Sequence, residues 1–427
     1  MITIALIVLL VLIGLSIPVG ASLGLLGLSL DSLYSFLPLT QAVGEVTWAT
    51  SNEFLLVAIP LFILLGEILL RSGLAEKMYG AMSLWLSWLP GGLMHANIGA
   101  STIFSATSGS SVATAATVGT VALPEIKKHN YNESLFLGSL AAGGTLGILI
   151  PPSINLVIYG VLTNTSVPRL YLAGLIPGFL AALLFSVAII IACIIKPKWG
   201  GNRISASWGA RFKSLIHLVP PMAIFILVVG SIYAGVATPT EAAALGVVGA
   251  LILAFLNKRL SIKLLKDAFE GSMKATAMIM LIVIGAAFLN LVMSSIGLTD
   301  AITSAITSLG WSPMMMVLIL VLFYLVLGCF METLSMMITT IPIVAPVMIA
   351  LGFDPVWLGI IIIIAVEVAL ITPPVGLNLF VIQSLRTSGS MNSVMVGSLP
   401  FVLMLLLLIL LLTIFPQMAL WLPEMFG

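Results

Sequence analysis

Long apolar runs separated by short polar breaks dominate this chain. Runs able to cross a hydrocarbon core of about 30 Å occur at about 54–71, 134–162, 171–195, 215–234, 240–256, 275–293, 356–382 and 395–415. The opening stretch 2–30 reads either as one long helix or as two short ones divided at Pro18. Pro239, between Thr238 and Thr240, supplies a turn between two of these runs, because proline starts helices well and interrupts them badly. The pattern predicts an all-α polytopic membrane protein.

Composition narrows this further. Of 427 residues, 61% are hydrophobic and 7% charged, where a soluble domain carries about 25% charged residues. Soluble, disordered and nucleic-acid-binding classes are excluded, because a water-facing surface needs far more polar area. A net charge of +1 gives no long-range field to capture acidic or nucleic-acid partners. Cys193 and Cys329 both sit in apolar runs without a metal-binding or disulfide pattern and read as small core residues. The chain turns apolar directly after Met1-Ile2-Thr3-Ile4, without the basic region of a secretory signal, so the first segment is expected to stay in the membrane.

Where the few charges fall predicts the topology. The linker 196–213 carries Lys196, Lys198, Arg203, Arg211 and Lys213 and no acid, and the loop 257–266 carries Lys258, Arg259, Lys263 and Lys266, so both are expected on the cytoplasmic side. Walking outward places Arg71, Lys77, Lys127, Lys128, Lys274 and Arg386 inside as well, with Arg169 the exception among 16 basic residues and both termini outside.

The two halves also resemble each other at a shift of about 222 residues. Gly14 to Pro18 parallels Gly235 to Pro239, Gly24 and Gly27 parallel Gly246 and Gly249, and Ser72-Gly73-Leu74 parallels Ile296-Gly297-Leu298. Pro124 parallels Pro346, and Pro151-Pro152 parallels Pro373-Pro374. If each half makes five crossings, an odd number, the second half is inverted relative to the first, as in many secondary transporters.

Residues 93–127 and 310–346 fit the crossing count only as re-entrant hairpins. Non-helical backbone at membrane depth is tolerated where it is buried in protein or lines a cavity. The first tip holds ten hydroxyl residues among the twenty from Ser101 to Thr120, centred on Thr107-Ser108-Gly109-Ser110-Ser111. Hydroxyl and carbonyl oxygens are hard ligands suited to Na⁺, and the N-terminus of the returning arm suits an anion. The same small residues would also serve close helix packing in lipid. The partner of this tip is the interrupted run Gly143 to Asn155, where Pro151 and Pro152 remove two donors and free carbonyls near Gly147 and Ile150. A proline kink without any ligand is the other reading. Thr372-Pro373-Pro374-Val375-Gly376-Leu377-Asn378 repeats the pattern and is expected to face a second tip over Gly328 to Ser335.

Intramembrane acids need a reason. Glu332 and Glu367 are candidates for a structural or ion-linked role. Glu67 with Arg71 reads as a snorkelling pair, and Glu241 after Thr238-Pro239 as helix-start chemistry. No Lys or Arg lies near the midplane, so an anionic substrate would be held by N–H groups, hydroxyls and bound cations. No GxxxxGK[ST] motif is present, so ATP is not expected to drive the chain.

The sequence resembles the large membrane subunit of tripartite ATP-independent periplasmic (TRAP) transporters, the DctM-like proteins. The resemblance spans essentially the whole chain and is carried by Ser108-Gly109-Ser110-Ser111-Val112-Ala113, by Ile150-Pro151-Pro152-Ser153 with Tyr159-Gly160, and by Thr372 to Leu379. It implies a Na⁺-coupled importer of organic acids in the bacterial inner membrane, with two or more Na⁺ sites and no organic cofactor. The implied partners are a small four-helix membrane subunit and a periplasmic substrate-binding protein. It further implies an elevator, with two inverted repeats: 1–213, comprising scaffold helices 1–90, hairpin and transport helices 91–195 and the linker 196–213, and 214–427, comprising scaffold 214–309 and hairpin and transport helices 310–427.

Carried over by the resemblance, the sodium-binding residues are Ser108, Ser110, Gly147, Ile150 and Pro152, with second-half counterparts Gly328, Thr333, Thr372, Gly376 and Asn378. Thr107, Gly109, Ser111, Ser153, Asn155, Glu332, Ser335 and Pro373 are the candidate substrate-binding residues. One departure is Thr114, where many relatives carry aspartate. Two other classes stay open: a stand-alone Na⁺/anion symporter needing no binding protein, and, more remotely, an intramembrane hydrolase. His95, His129 and His217 are the only histidines and are expected away from the Ser108 tip.

Overall fold

A computed structural model describes residues 1–202, 207–308 and 310–426, apart from the side chain of Ile13. Arg203, counted with the basic linker, lies outside the described residues. The described residues form helices and connecting turns, without strands. In the first half these are α1 (Ile2–Gly14), α2 (Val19–Tyr34), α3 (Val43–Ser51), α4 (Ala58–Arg71), α5 (Leu74–Leu86), α6 (Leu93–Ser108), α7 (Ser111–Lys128), α8 (Glu133–Thr145), α9 (Ile154–Thr163) and α10 (Val167–Ile195). After the linker come α11 (Trp208–Ser214), α12 (Val219–Phe225), α13 (Ser231–Tyr233), α14 (Pro239–Leu256), α15 (Ile262–Ser295) and α16 (Leu298–Thr307). The chain closes with α17 (Pro313–Leu327), α18 (Thr333–Ala350), α19 (Pro355–Ile371), α20 (Leu377–Ser384), α21 (Met391–Ile414) and α22 (Gln417–Phe426).

Six helical segments among the described residues are long and apolar enough to cross a membrane, seven if the bent pair Trp208–His217 and Val219–Tyr233 is one span. The opening stretch resolves into two helices at Pro18. The 215–234 run is not one straight crossing: it bends by 41° ahead of Pro220 and Pro221. The 134–162 and 356–382 runs are each broken at their Pro-Pro pair. Thr333–Ala350, expected as a hairpin arm, also has the length and apolarity of a crossing helix.

The 275–293 run is the core of a longer helix. Ser261 caps α15 by accepting from the Leu264 N–H at 3.1 Å, so Lys263, Lys266 and Lys274 sit on the helix and the expected loop shrinks to a short turn before Ser261. At α14 the expected helix-start chemistry of Glu241 is a reciprocal cap: Thr238 Oγ1 accepts from Glu241 N at 3.3 Å and Glu241 Oε2 accepts from Thr238 N at 2.8 Å. The expected Glu67–Arg71 pair forms along α4.

Two layers of packing hold the site in place. In one, α2 crosses α15 and α4 crosses both α14 and α15. Ser272 Oγ donates to Pro60 O at 3.0 Å and Thr240 Oγ1 to Phe54 O at 3.2 Å. Such interhelical bonds contribute about 0.6 kcal/mol each in lipid, so close packing must carry most of the association. Gly285 illustrates it: a Cβ there would stand 2.6 Å from Gly20 O. In the other layer, α8 is surrounded by α6, α7, α20 and α21, with Gly138 and Gly397 in backbone contact. The outward faces are apolar, with Leu183, Ile191, Leu322 and Leu403 all exposed, as lipid-facing surfaces are.

Candidate functional site

The first hairpin turns at Gly109, whose φ of +63° is one that L side chains rarely adopt. Ser110 then caps α7, its Oγ accepting from Ala113 N at 3.4 Å. Thr114 Oγ1 donates to Ser110 O at 2.7 Å and lies 3.0 Å from Ser108 Oγ. Thr107 Oγ1 donates back to Phe104 O at 2.8 Å, and Ser111, the first residue of α7, is buried. Ser108, Ser110 and Thr114 thus form one oxygen-lined turn.

The break between α8 and α9 touches that turn through backbone. A Cβ on Gly147 would lie 2.5 Å from Ser110 O, and one on Gly109 would lie 2.8 Å from Pro152 O. Pro151 and Pro152 offer no N–H. Leu146 O accepts from both Leu149 N and Ile150 N, while no hydrogen bond among the described residues reaches the carbonyls of Gly147, Ile150 or Pro152. Pro151 therefore has no N–H to offer Gly147 O, four residues earlier. Ser153 caps α9, accepting from Leu156 N at 3.3 Å, and its hydroxyl donates to Ile148 O. Gly143 to Gly160 is buried throughout.

In the second half the candidate residues are held by local contacts. Gly328 at the second tip packs on Ala369, near the end of α19. Glu332 is occupied as the cap of α18: Ser335 N donates to it at 3.2 Å, Ser335 Oγ at 3.4 Å and Thr333 Oγ1 at 2.9 Å. Thr372 Oγ1 donates to Val368 O of its own helix at 2.6 Å. Gly376 is the cap residue of α20, and Pro373 is half-buried. Cys329 is only half-buried in the tip rather than a core residue, while Cys193 is buried.

Asn378, expected in one set with Gly328 and Thr333, lies on α20, which leaves the Pro373-Pro374 break toward α7 and α8. Its Nδ2 donates to Ala141 O at 3.2 Å and lies against Gly144, which has no side chain to exclude it. Its Oδ1 is buried and has no hydrogen-bond partner. Asn155 makes the opposite crossing: α9 packs on α18, and Asn155 Nδ2 donates to Met337 Sδ at 3.3 Å. Each post-break helix delivers its asparagine to the other half.

Three residues of this region were not singled out as site residues. Thr114 links Ser108 to Ser110, and the hydroxyls of Ser101 and Ser105 are buried without partners. Ser101, Ser105 and Ser108 recur at four- and three-residue spacing, a stripe on one helix face that the sequence already carried. Glu367 is fully buried in α19, and both its oxygens lack partners. Among the described residues no group of three or more His, Cys, Asp or Glu side chains could hold a metal ion. The oxygens gathered at the first tip are hydroxyl and carbonyl, a hard donor set that fits an alkali cation better than a transition metal.

Residues 6–418 match the family of the tripartite ATP-independent periplasmic transporter DctM component. The C4-dicarboxylate TRAP transporter large permease protein DctM of Vibrio cholerae is 33% identical, covering 96% of this chain and 94% of its own. Its counterpart in Pseudomonas aeruginosa is 35% identical over 88% of each chain. The sialic acid TRAP transporter large permease protein SiaM of Vibrio cholerae is 31% identical, over 96% and 95%. Among solved structures, the YdaH transporter of Alcanivorax borkumensis superposes with a TM-score of 0.61 at 16% identity, covering 94% of this chain and 97% of that one, a likeness of fold. These relatives are transporter permease subunits and not enzymes, so the hydrolase reading falls away. The chain belongs to the DctM family of TRAP transporter large membrane subunits.

Proposed function

We propose that this chain imports a small organic acid into the bacterial cytoplasm, driven by Na⁺, after delivery by a periplasmic substrate-binding protein and together with the small four-helix membrane subunit. The observation that carries the reading is the buried oxygen cluster where the first tip meets the α8–α9 break. Ser108, Ser110 and the carbonyls of Gly147, Ile150 and Pro152 are the groups that would hold the ion, and Asn378, whose Nδ2 lies beside Gly144, has a buried Oδ1 without a partner. An oxygen that has lost water and gained no donor costs about 1–3 kcal/mol. A cation is the partner that offsets this cost without needing a hydrogen to share.

The substrate class follows from charge. Relatives are named for the anions C4-dicarboxylates, sialic acid and isethionate and for ectoine, a zwitterion that also carries a carboxylate. With no Lys or Arg in the tip segments 101–120 and 328–335, a carboxylate would be met by N–H groups at the start of α7 and by the hydroxyl of Ser111, beside the bound cation. In the elevator reading, α2, α4, α14 and α15 belong to the stationary part, and both hairpins with α8, α9, α19 and α20 to the part that slides. The equivalent Pro-Pro breaks at Pro151-Pro152 and Pro373-Pro374 support two repeats.

Proteoliposomes holding the chain with both partners test this. Uptake is expected only with an inward Na⁺ gradient and the binding protein present. Uptake driven by ATP, or indifferent to the gradient, overturns the reading; gradient-driven uptake without a binding protein would favour the stand-alone symporter.

A further inference from the structure

The linker between the halves carries chemistry that transport does not use. From 196 to 213 the sequence has five basic residues and no acid. Lys196, Lys198, Arg211 and Lys213 lie among the described residues, and none joins an ion pair there. The nearby acid Glu125 is taken by Lys128 and His129, each at 3.1 Å.

Two of the cations are laid on aromatic rings. Lys196 Nζ stands 4.3 Å from the centroid of Trp199, and the Arg211 guanidinium 4.9 Å from that of Trp208. Both ends are fixed to the protein. Asn132 N donates to Trp199 O at 3.2 Å, Asn202 N donates to His129 O at 2.8 Å, and Trp85 Nε1 donates to Arg211 O at 3.0 Å. Arg211 Nε is buried without a partner.

The hydrocarbon level is marked on both sides. Ile194 and Ile195 at the end of α10 are 65% and 70% exposed, and Ile216 ahead of α12 is 63% exposed. The basic residues therefore lie where apolar surface stops, and Trp208 and Phe212, 64% and 61% exposed, share that stretch. Amphipathic aromatics settle at the headgroup level, and clustered Lys and Arg just outside a span attract anionic lipids.

We propose that this linker is a binding element for the headgroups of anionic phospholipids. Lys196, Lys198, Arg211 and Lys213 meet the phosphates while Trp208 and Phe212 enter the interface. Charge complementarity selects lipid over an acidic protein segment, because the basic residues alternate with exposed aromatics that need an apolar surface beneath them.

Native mass spectrometry of the purified chain, titrated with phosphatidylglycerol or phosphatidylcholine, tests the assignment. Phosphatidylglycerol is expected to bind more tightly, and each neutralised charge in the series Lys196→Gln, Lys198→Gln, Arg211→Gln and Lys213→Gln to weaken it about fivefold. Exchanging Lys for Arg and Arg for Lys at the same positions should preserve binding within about twofold. Should the fourfold neutralised variant not fold, the single variants carry the same reading. Equal binding of the two lipids, or equal affinity of wild type and neutralised variants, overturns the proposal. Displacement by glycerol 3-phosphate at matched concentration also overturns it, by identifying a site for free anions.

Discussion

Ser108 Oγ and Thr114 Oγ1 lie 3.0 Å apart in a buried turn, each able to turn an oxygen lone pair toward a cation. Ser108→Ala removes one such oxygen and no bulk. The expected outcome is a rise of about tenfold or more in the Na⁺ concentration for half-maximal uptake, the equivalent of about 1.4 kcal/mol, with expression unchanged; an unaltered Na⁺ dependence would count against the cation site. Gly147→Ala is a steric test, because its Cβ would meet Ser110 O at 2.5 Å. It should lower the thermal midpoint and abolish uptake, as backbone on both sides cannot yield. The hydroxyl-rich tip was legible because ten hydroxyls in twenty residues is a local signal. The destination of Asn378 was not, since it depends on the direction α20 takes after the break and on the space left by Gly144, a residue 234 positions earlier in the chain.

At the scale of elements, helix starts followed short-range chemistry and were readable. Thr238, Ser110 and Ser153 each cap the helix they precede. The start of α15 was hidden because Lys263, Lys266 and Lys274 dilute the apolar run from which the helix was inferred. A tie between elements of the two halves gives another test. Arg386, on the loop after α20, pairs with Glu133 at the start of α8 and also donates to Gln383 Oε1 at 2.9 Å and Ser390 O at 3.1 Å. Its side chain is 5% exposed, whereas that of Glu133 is 51% exposed. Arg386→Gln is therefore expected to lower the thermal midpoint clearly, and Glu133→Gln to change stability by less than about 1 kcal/mol; equal effects would show that the buried end is not the one that matters.

Across the whole molecule, the tip of the first hairpin lies against α4, where a Cβ on Gly66 would meet Ser108 O at 2.9 Å. If α4 is stationary and the hairpin slides, this contact breaks and re-forms in every cycle. Gly66→Leu should then slow uptake severalfold while Na⁺-induced stabilisation of the detergent-solubilised protein is retained; loss of both would mean that the two surfaces never separate. Asn155 and Asn378 add a constraint of another kind. If Na⁺ fills a site in each half, filling one pulls on the helix that leads away from the opposite Pro-Pro break, because each half's asparagine is buried in the other half. Occupancy of the two regions is then not independent, and Na⁺ should act with a Hill coefficient above 1 that falls toward 1 in Asn378→Ala, a cooperativity written into the crossing of two side chains.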